Sequence, residues 1–278
     1  MLFYFIYSTD MVQPGENALS SPIVYSCYVN RSREGEQFVA QHVFSYQISG
    51  TLILNDGRKT YTFRENDFRF VKRNQLVKFN KLPPAEGEFK TLTVYLEESV
   101  LRAVSMEYGC KGKKTAGGAS IIRLNPDPLY TSYIDSLMPY REMKPTVNQH
   151  LQSLKLKEAI LILLQVNPEL NDILFDFSEP GKIDLEAFMN KNFHFNVQLK
   201  RFAYLTGRSL ATFKRDFEKT FHSTPSRWLQ HRRLQEAHYL IKEKGKSASD
   251  VYLDLGFEDL SHFSFAFKKT YGVAPSRI

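Results

Sequence analysis

Within residues 1–125 the side chains best suited to holding a metal are few: one histidine, His42, and two cysteines, Cys27 and Cys110. A lone imidazole cannot hold an ion, since a metal centre needs further histidines or a carboxylate converging with it. His42 is therefore expected to be a structural histidine. The cysteines are too few and too far apart for a disulfide scaffold or a thiolate zinc site, and they fit a reducing cytoplasm. No Ser, His and Asp follow a triad order, no glycine loop is shaped to cradle phosphate, and no carboxylates pair at motif spacing. The residues give no case for catalysis, for a metal or for a cofactor. The chemistry left is hydrogen bonding and charge. Lys and Arg number 37 against 30 Asp and Glu, a net charge of +7, and residues 181–278 hold 17 of the basic side chains against 10 acidic ones. A surplus gathered in one third of the chain suits a polyanionic partner.

Elements must position those donors. With 278 residues, 42% of them hydrophobic and 24% charged, the chain can fill one large core or two ordinary ones, which excludes wholesale disorder, collagen-like and coiled-coil classes. Met1–Tyr7 is apolar but too short to span a bilayer and has no basic residues before it, so neither a membrane segment nor a secretory leader is expected. Short alternating runs at Phe38–Ile48, Thr51–Leu54, Lys59–Phe63, Asp67–Val71, Gln75–Phe79 and Lys90–Leu96 are separated by turn formers such as Asn55-Asp56-Gly57 and Pro83-Pro84. That rhythm predicts a β-sandwich or small barrel over about residues 1–125. Lys111–Ser120, rich in Gly and Lys, is expected to be an exposed loop. Apolar spacing turns helical from Leu129 to Phe177, and Ser178-Glu179-Pro180-Gly181 has linker composition. The boundary is expected at 180, dividing a regulatory and dimerisation domain, 1–180, from an all-α domain, 181–278.

The second domain repeats one plan. Val197–Leu205 leads through Thr206-Gly207-Arg208 to Ser209, whose hydroxyl can cap a helix Leu210–Thr220. Ala248–Leu255 leads through Gly256-Phe257-Glu258 to Asp259, able to cap Leu260–Thr270. Each is a helix-turn-helix in outline. Pro225 opens a connecting helix, Ser226–Lys242, whose span of roughly 26 Å would set the two second helices about one DNA turn, ~34 Å, apart.

Thr224-Pro225-Ser226-Arg227-Trp228-Leu229, Arg233-Leu234-Gln235-Glu236-Ala237, Gly256-Phe257-Glu258-Asp259-Leu260-Ser261-His262-Phe263, Phe267-Lys268-Lys269, Tyr271-Gly272-Val273 and Pro275-Ser276 together resemble the AraC/XylS family of transcription regulators. The resemblance implies an α+β protein: an N-terminal cupin-like β-barrel plus helices, then an all-α double helix-turn-helix domain. It implies sequence-specific binding to double-stranded promoter DNA, activation rather than repression, and RNA polymerase as a further partner. Matching the motif puts Ala211, Lys214 and Arg215 of the first reading helix, and Leu260, Ser261, Ser264 and Phe265 of the second, against the bases. Arg201, Arg208, Lys219, Lys268 and Lys269 become candidate phosphate contacts. Three departures stand out: His222 replaces the usual Gly after the first reading helix, Ala248 and Tyr252 alter the second unit's packing, and Phe265 replaces a common basic residue. Trp228 is expected to be a buried anchor.

Upstream, Ala159–Leu164 is apolar all round and needs cover on more than one side, which predicts a homodimer through Leu154, Ile160, Leu161 and Leu164, the alternative being a helix fully buried within one large regulatory domain. The stretch from Leu154 to Asn167 and the Phe175–Phe177 segment also resemble the ExsA subgroup, which is controlled by protein partners. A small ligand in the barrel and a partner protein both stand as the signal. The competing reading starts from Gln41-His42, Tyr46, Gly50 and Glu65-Asn66-Asp67, whose rhythm is similar to that of cupins. It would make the chain a cupin-type metalloenzyme or small-molecule binding protein with a basic helical tail.

Overall fold

The structure is a computed structural model that describes residues 22–28, 33–113, 118–141 and 149–278. Met1–Tyr7 and the Lys114–Gly117 part of the Gly- and Lys-rich loop lie outside them. The chain divides into two compact units, one ending at Ser178 and one spanning Glu179–Ile278.

The first unit contains β1 (Ile23–Tyr28), β2 (Arg33–Val39), β3 (His42–Ser49), β4 (Thr51–Asn55), β5 (Thr60–Phe63), β6 (Phe68–Val71), β7 (Gln75–Leu82), β8 (Phe89–Leu96) and β9 (Ile121–Leu124). Its helices are α1 (Glu98–Tyr108), α2 (Pro128–Leu137), α3 (Gln149–Val166) and the single turn α4 (Asn171–Leu174). A five-stranded sheet ordered β1-β8-β3-β6-β9 faces a four-stranded one ordered β2-β7-β4-β5. Among the described residues no ladder joins them, so the expected barrel is an open, two-sheet form. Leu52, Leu54 and Val77 of the small sheet meet Val43 and Val71 of the large one, with Phe63 and Phe89 fully buried between. The large sheet's other face presents Phe44, Phe68, Phe70, Leu92 and Val94 to α1, α2 and α3. Its central strands are thus covered on both sides, and β6 is buried at every position.

Leu156, Ala159, Ile160 and Leu163 follow the i, i+3, i+4, i+7 pattern and are at most 1% exposed, so this face of α3 belongs to the unit's own core. That corrects one expectation: Ile160 is consumed internally and cannot meet a second subunit. Leu154 is 60% exposed, and Leu161 and Leu164 are half-buried. The Gly- and Lys-rich loop is also pinned at its start, where Asn171 Nδ2 donates to the Lys111 carbonyl at 2.9 Å. Arg73, in the turn after β6, donates to Glu98 at 2.8 Å and to the carbonyls of Asp176 and Ser178 at 2.7 and 3.1 Å.

The second unit is helical: α5 (Leu185–Asn192), α6 (Leu199–Leu205), α7 (Leu210–Phe221), α8 (Pro225–Lys244), α9 (Ala248–Val251) and α10 (Leu260–Tyr271). Side-chain oxygens cap the openings. Asp184 accepts from Ala187 N, Ser209 from Thr212 N and Asp259 from His262 N. His222 ends α7 at φ 50° and takes the left-handed conformation that the usual glycine would supply, so the turn keeps its course despite the substitution. The helix expected over Ala248–Leu255 stops after one turn at Val251, and residues 252–256 continue as turns. Trp228 is half-buried rather than fully enclosed, packed on Phe217 at 5.6 Å and Phe221 at 4.5 Å, where it joins α8 to α7.

One side chain on α8 links the segment before the first helix-turn-helix unit to the turn of the second. Arg233 donates through Nε to the Phe193 carbonyl at 2.8 Å, through Nη2 to Phe195 at 2.8 Å and through Nη1 to Gly256 at 2.9 Å. The planar fork of a guanidinium satisfies three fixed acceptors at once, which an ammonium cannot do. Gly256, at φ 80°, admits this close approach, because a Cβ there would lie 2.7 Å from the His194 carbonyl and 3.0 Å from Arg233 Cζ. Arg233→Met should therefore lower the stability of this unit by about 3 kcal/mol or more, and Arg233→Lys should recover only part of the loss. Urea denaturation checks this, and a loss under about 1 kcal/mol would show that the three carbonyls need no shared donor.

Candidate nucleic-acid interface

Helices α7 and α10 are built alike and charged differently. On α7, Phe213 and Phe217 are fully buried at i and i+4, which turns Ala211, Lys214, Arg215 and Lys219 to the exposed side. The Arg215 side chain is 66% exposed, with Nε 3.8 Å from Asp216. On α10, Phe263 and Phe267 play the buried part, leaving Leu260 at 38% and Phe265 at 69% exposure. Ser261, Lys268 and Lys269 are exposed and Ser264 is half-buried. The α7 face is cationic where it could meet base edges. The α10 face is uncharged there and carries its lysines in the last turn.

Arg208 requires a correction. Its side chain is only 7% exposed and is used inside the unit: Nε donates to Asp216 at 3.1 Å, and Nη1 to the carbonyls of Thr206 at 2.7 Å and Ile183 at 3.0 Å. A guanidinium so engaged is not available to a phosphate. The bond from Arg208, helped by Lys182 and Arg215 nearby, holds the Asp216 carboxyl below the usual carboxylate range. Gly207, at φ 64°, lies under the chain entering the unit, since a Cβ there would come within 2.4 Å of Gly181. Arg208 and Gly207 thus fix the entering segment across the first turn, which sets the start of α7. Arg201 is half-buried on α6. Sequence reasoning assigned no role to Arg233, although it lay within the quoted motif.

His42 has a different environment from a metal ligand. It is 3% exposed, its ring stacks on Phe70 at 5.4 Å, and its Nδ1 accepts the Arg73 backbone N–H at 3.2 Å. Nε2 makes no hydrogen bond of normal geometry among the described residues, with the Ile173 backbone as its polar neighbour. Burial, with Arg73 and Lys72 adjacent, lowers its pKa to about 3, so the ring is neutral at physiological pH. Those two cations also oppose a metal ion at this position. Among the described residues no group of three or more His, Cys, Asp or Glu is placed to hold one.

Comparison with known proteins agrees with this arrangement. Residues 202–278 match the family described as Helix-turn-helix domain, and residues 42–173 match the ExsA N-terminal regulatory domain. The chain is similar to the thermoregulatory protein LcrF of Yersinia pestis, 25% identical over 262 residues and 90% of each chain. It is 24% identical to the HTH-type transcriptional regulator ExsA of Pseudomonas aeruginosa over 273 residues, 95% of each chain. The virulence regulon transcriptional activator VirF of Yersinia enterocolitica is 23% identical over 261 residues, 90% of each chain. With an ExsA-type regulatory domain before an AraC-type helix-turn-helix domain, the chain belongs to the AraC/XylS family of transcription regulators.

Proposed function

We propose that this regulator activates transcription by binding promoter DNA with α7 and α10, under the control of its N-terminal unit. The observation that carries the reading is the paired construction of the two helices, each capped, each with two buried phenylalanines, and linked through Arg233. The VirF relatives being named activators favours activation, with RNA polymerase as partner. Lys214 and Arg215 supply donors for guanine O6 and N7, and Ala211 can meet a thymine methyl. Leu260, Ser261, Ser264 and Phe265 offer apolar contact and few hydrogen bonds, so the second unit depends more on DNA shape. Arg201, Lys219, Lys268 and Lys269 serve the phosphates. In this reading the chain catalyses nothing and works in the cytoplasm. No helix among the described residues is long and apolar enough to cross a membrane.

The reading also includes a homodimer. Leu154 at 60% exposure, Leu151 at 41% and Met106 at 80% lie on α3 and α1, which pack together, and Leu161 and Leu164 flank them in the sequence. Two linked DNA-binding units gain affinity on paired sites through effective concentration.

Promoter binding against a scrambled duplex at fixed salt tests the function. Arg215→Ala should cost about 1–3 kcal/mol and relax preference at one base pair, whereas Lys268→Ala should weaken all sequences alike and reduce the salt dependence by about one ion. Indistinguishable effects of the two changes would contradict the division of labour. Sedimentation should give a dimer at about 10 μM for the parent chain and a monomer for Leu154→Glu. A monomeric parent with no advantage on paired sites would remove the dimer.

A further inference from the structure

Arg69 is buried and, among the described residues, hydrogen-bonds to no carboxylate. It is 4% exposed on β6, on the same face as Val71, and therefore points between the two sheets, while Phe68 and Phe70 point to the helices. Its hydrogen-bond acceptors are neutral: Gln47 Oε1 at 3.3 Å and Thr91 Oγ1 at 3.0 Å, with the Phe63 ring 5.4 Å away. Asp67, the nearest carboxylate along the chain, is taken by Arg123 and by the Arg64 backbone N–H. A guanidinium has five donors, and an enclosed cation without an anion is costly. Burial, opposed by the charge of Asp67 and by Tyr95, lowers its pKa to about 9, which leaves it protonated at neutral pH.

The surroundings have the character of a receptor. Arg69 borders a cavity of about 110 Å³ between the sheets, whose lining includes Lys81 and, among the described residues, no Asp or Glu. Strand register sets Arg69, Ser45 and Thr93 in one row across β6, β3 and β8, and the Ser45 hydroxyl donates to that of Thr93 at 3.3 Å. Hydroxyls and the cation thus occupy the large sheet's inner face. The small sheet opposes them with a mainly aliphatic wall of Val39, Leu52, Leu54 and Val77, to which it adds Gln37 and the cation Lys81. A cavity with a cation from each sheet and a mainly aliphatic wall fits a molecule with an anionic head and a short apolar tail.

We propose that this cavity binds a short-chain monocarboxylic acid, with its carboxylate on Arg69 and its alkyl chain against the aliphatic wall. The acid would be the signal of the regulator proposed above, and only this last clause rests on that reading. The large sheet carries the site on one face and α1 to α3 on the other, so occupancy can alter the sheet that supports those helices.

The test is thermal unfolding and calorimetric titration of the full chain with butyrate and hexanoate, against butanol, butylamine and inorganic phosphate. The acids should raise the midpoint by about 5 °C at a hundred times Kd, and the alcohol and amine should not. Phosphate binding as tightly as the acids would overturn the proposal, because the aliphatic wall would then play no part. Arg69→Met should fold, since it removes an unpaired buried charge, and should weaken the acids at least tenfold. Ser45→Ala, a milder change, should weaken them severalfold if Arg69→Met is not recovered folded. An Asp10→Asn, Glu16→Gln chain should titrate like the parent. A gain in affinity there would mean that the chain's own carboxylate fills the site, and would overturn the proposal. Failure of both acids to bind, or equal binding by Arg69→Met, would also overturn it. Promoter binding is scored on the same preparation, so loss of the regulator reading and loss of the acid site remain distinct.

Discussion

The three hydrogen bonds from Arg233 are the constraint on which the reading surface depends. Phe193 and Phe195 lie just ahead of the first helix-turn-helix unit, and Gly256 lies in the turn of the second. A single guanidinium on the connecting helix holds all three carbonyls, so the segment ahead of the first unit and the turn of the second are referred to one rigid point on α8. Each reading helix is then fixed to its own turn by a cap and two buried phenylalanines. The exposed side chains follow from this frame: a face of α7 is left to solvent because the opposite face has been committed to the core.

The regulatory unit shows the same logic with a sheet as the frame. Strands β3, β6 and β8 are covered by helices on one face and by the small sheet on the other, and the two faces differ in chemistry. The helix side is almost wholly apolar, with Phe44, Phe68 and Phe70 against Tyr130 and Tyr133. The inner side carries Ser45, Gln47, Arg69 and Thr91 at 4% exposure or less. A core built for stability alone would not gather so many polar groups, and they are where a ligand would find partners. Arg73 then ties the turn after β6 to the chain at Asp176 and Ser178, the last residues of the unit.

Much of the architecture could be read from the residues because local signals and tertiary demands coincide. Ser209, Asp259 and Pro225 mark helix openings by their own backbone chemistry, and all three open helices in the structure. Other elements carried no such mark. Strand β1 gains its identity by pairing with β8 far along the chain, β9 has four residues, and α1 buries only Leu101 and Val104. Individual side chains are harder to place. A basic residue looks the same in sequence whether its charge is turned outward or used internally, and only the fold brings Asp216 and the Ile183 carbonyl to Arg208. The alternation in Phe68-Arg69-Phe70-Val71 likewise suggests a solvent face, which double cover of the sheet removes. Ile160 was misread because an all-apolar helix does not say which side its own core will take.

Hydroxyl-radical footprinting of the full chain on its promoter tests most directly whether Arg233 makes the two units one reading body. The account predicts two protected patches about one helical turn apart for the parent chain. For Arg233→Lys, under conditions where it remains folded, the patch under α7 should persist and the patch under α10 should weaken or lose its phase. Two full patches with unchanged spacing in Arg233→Lys would contradict the account.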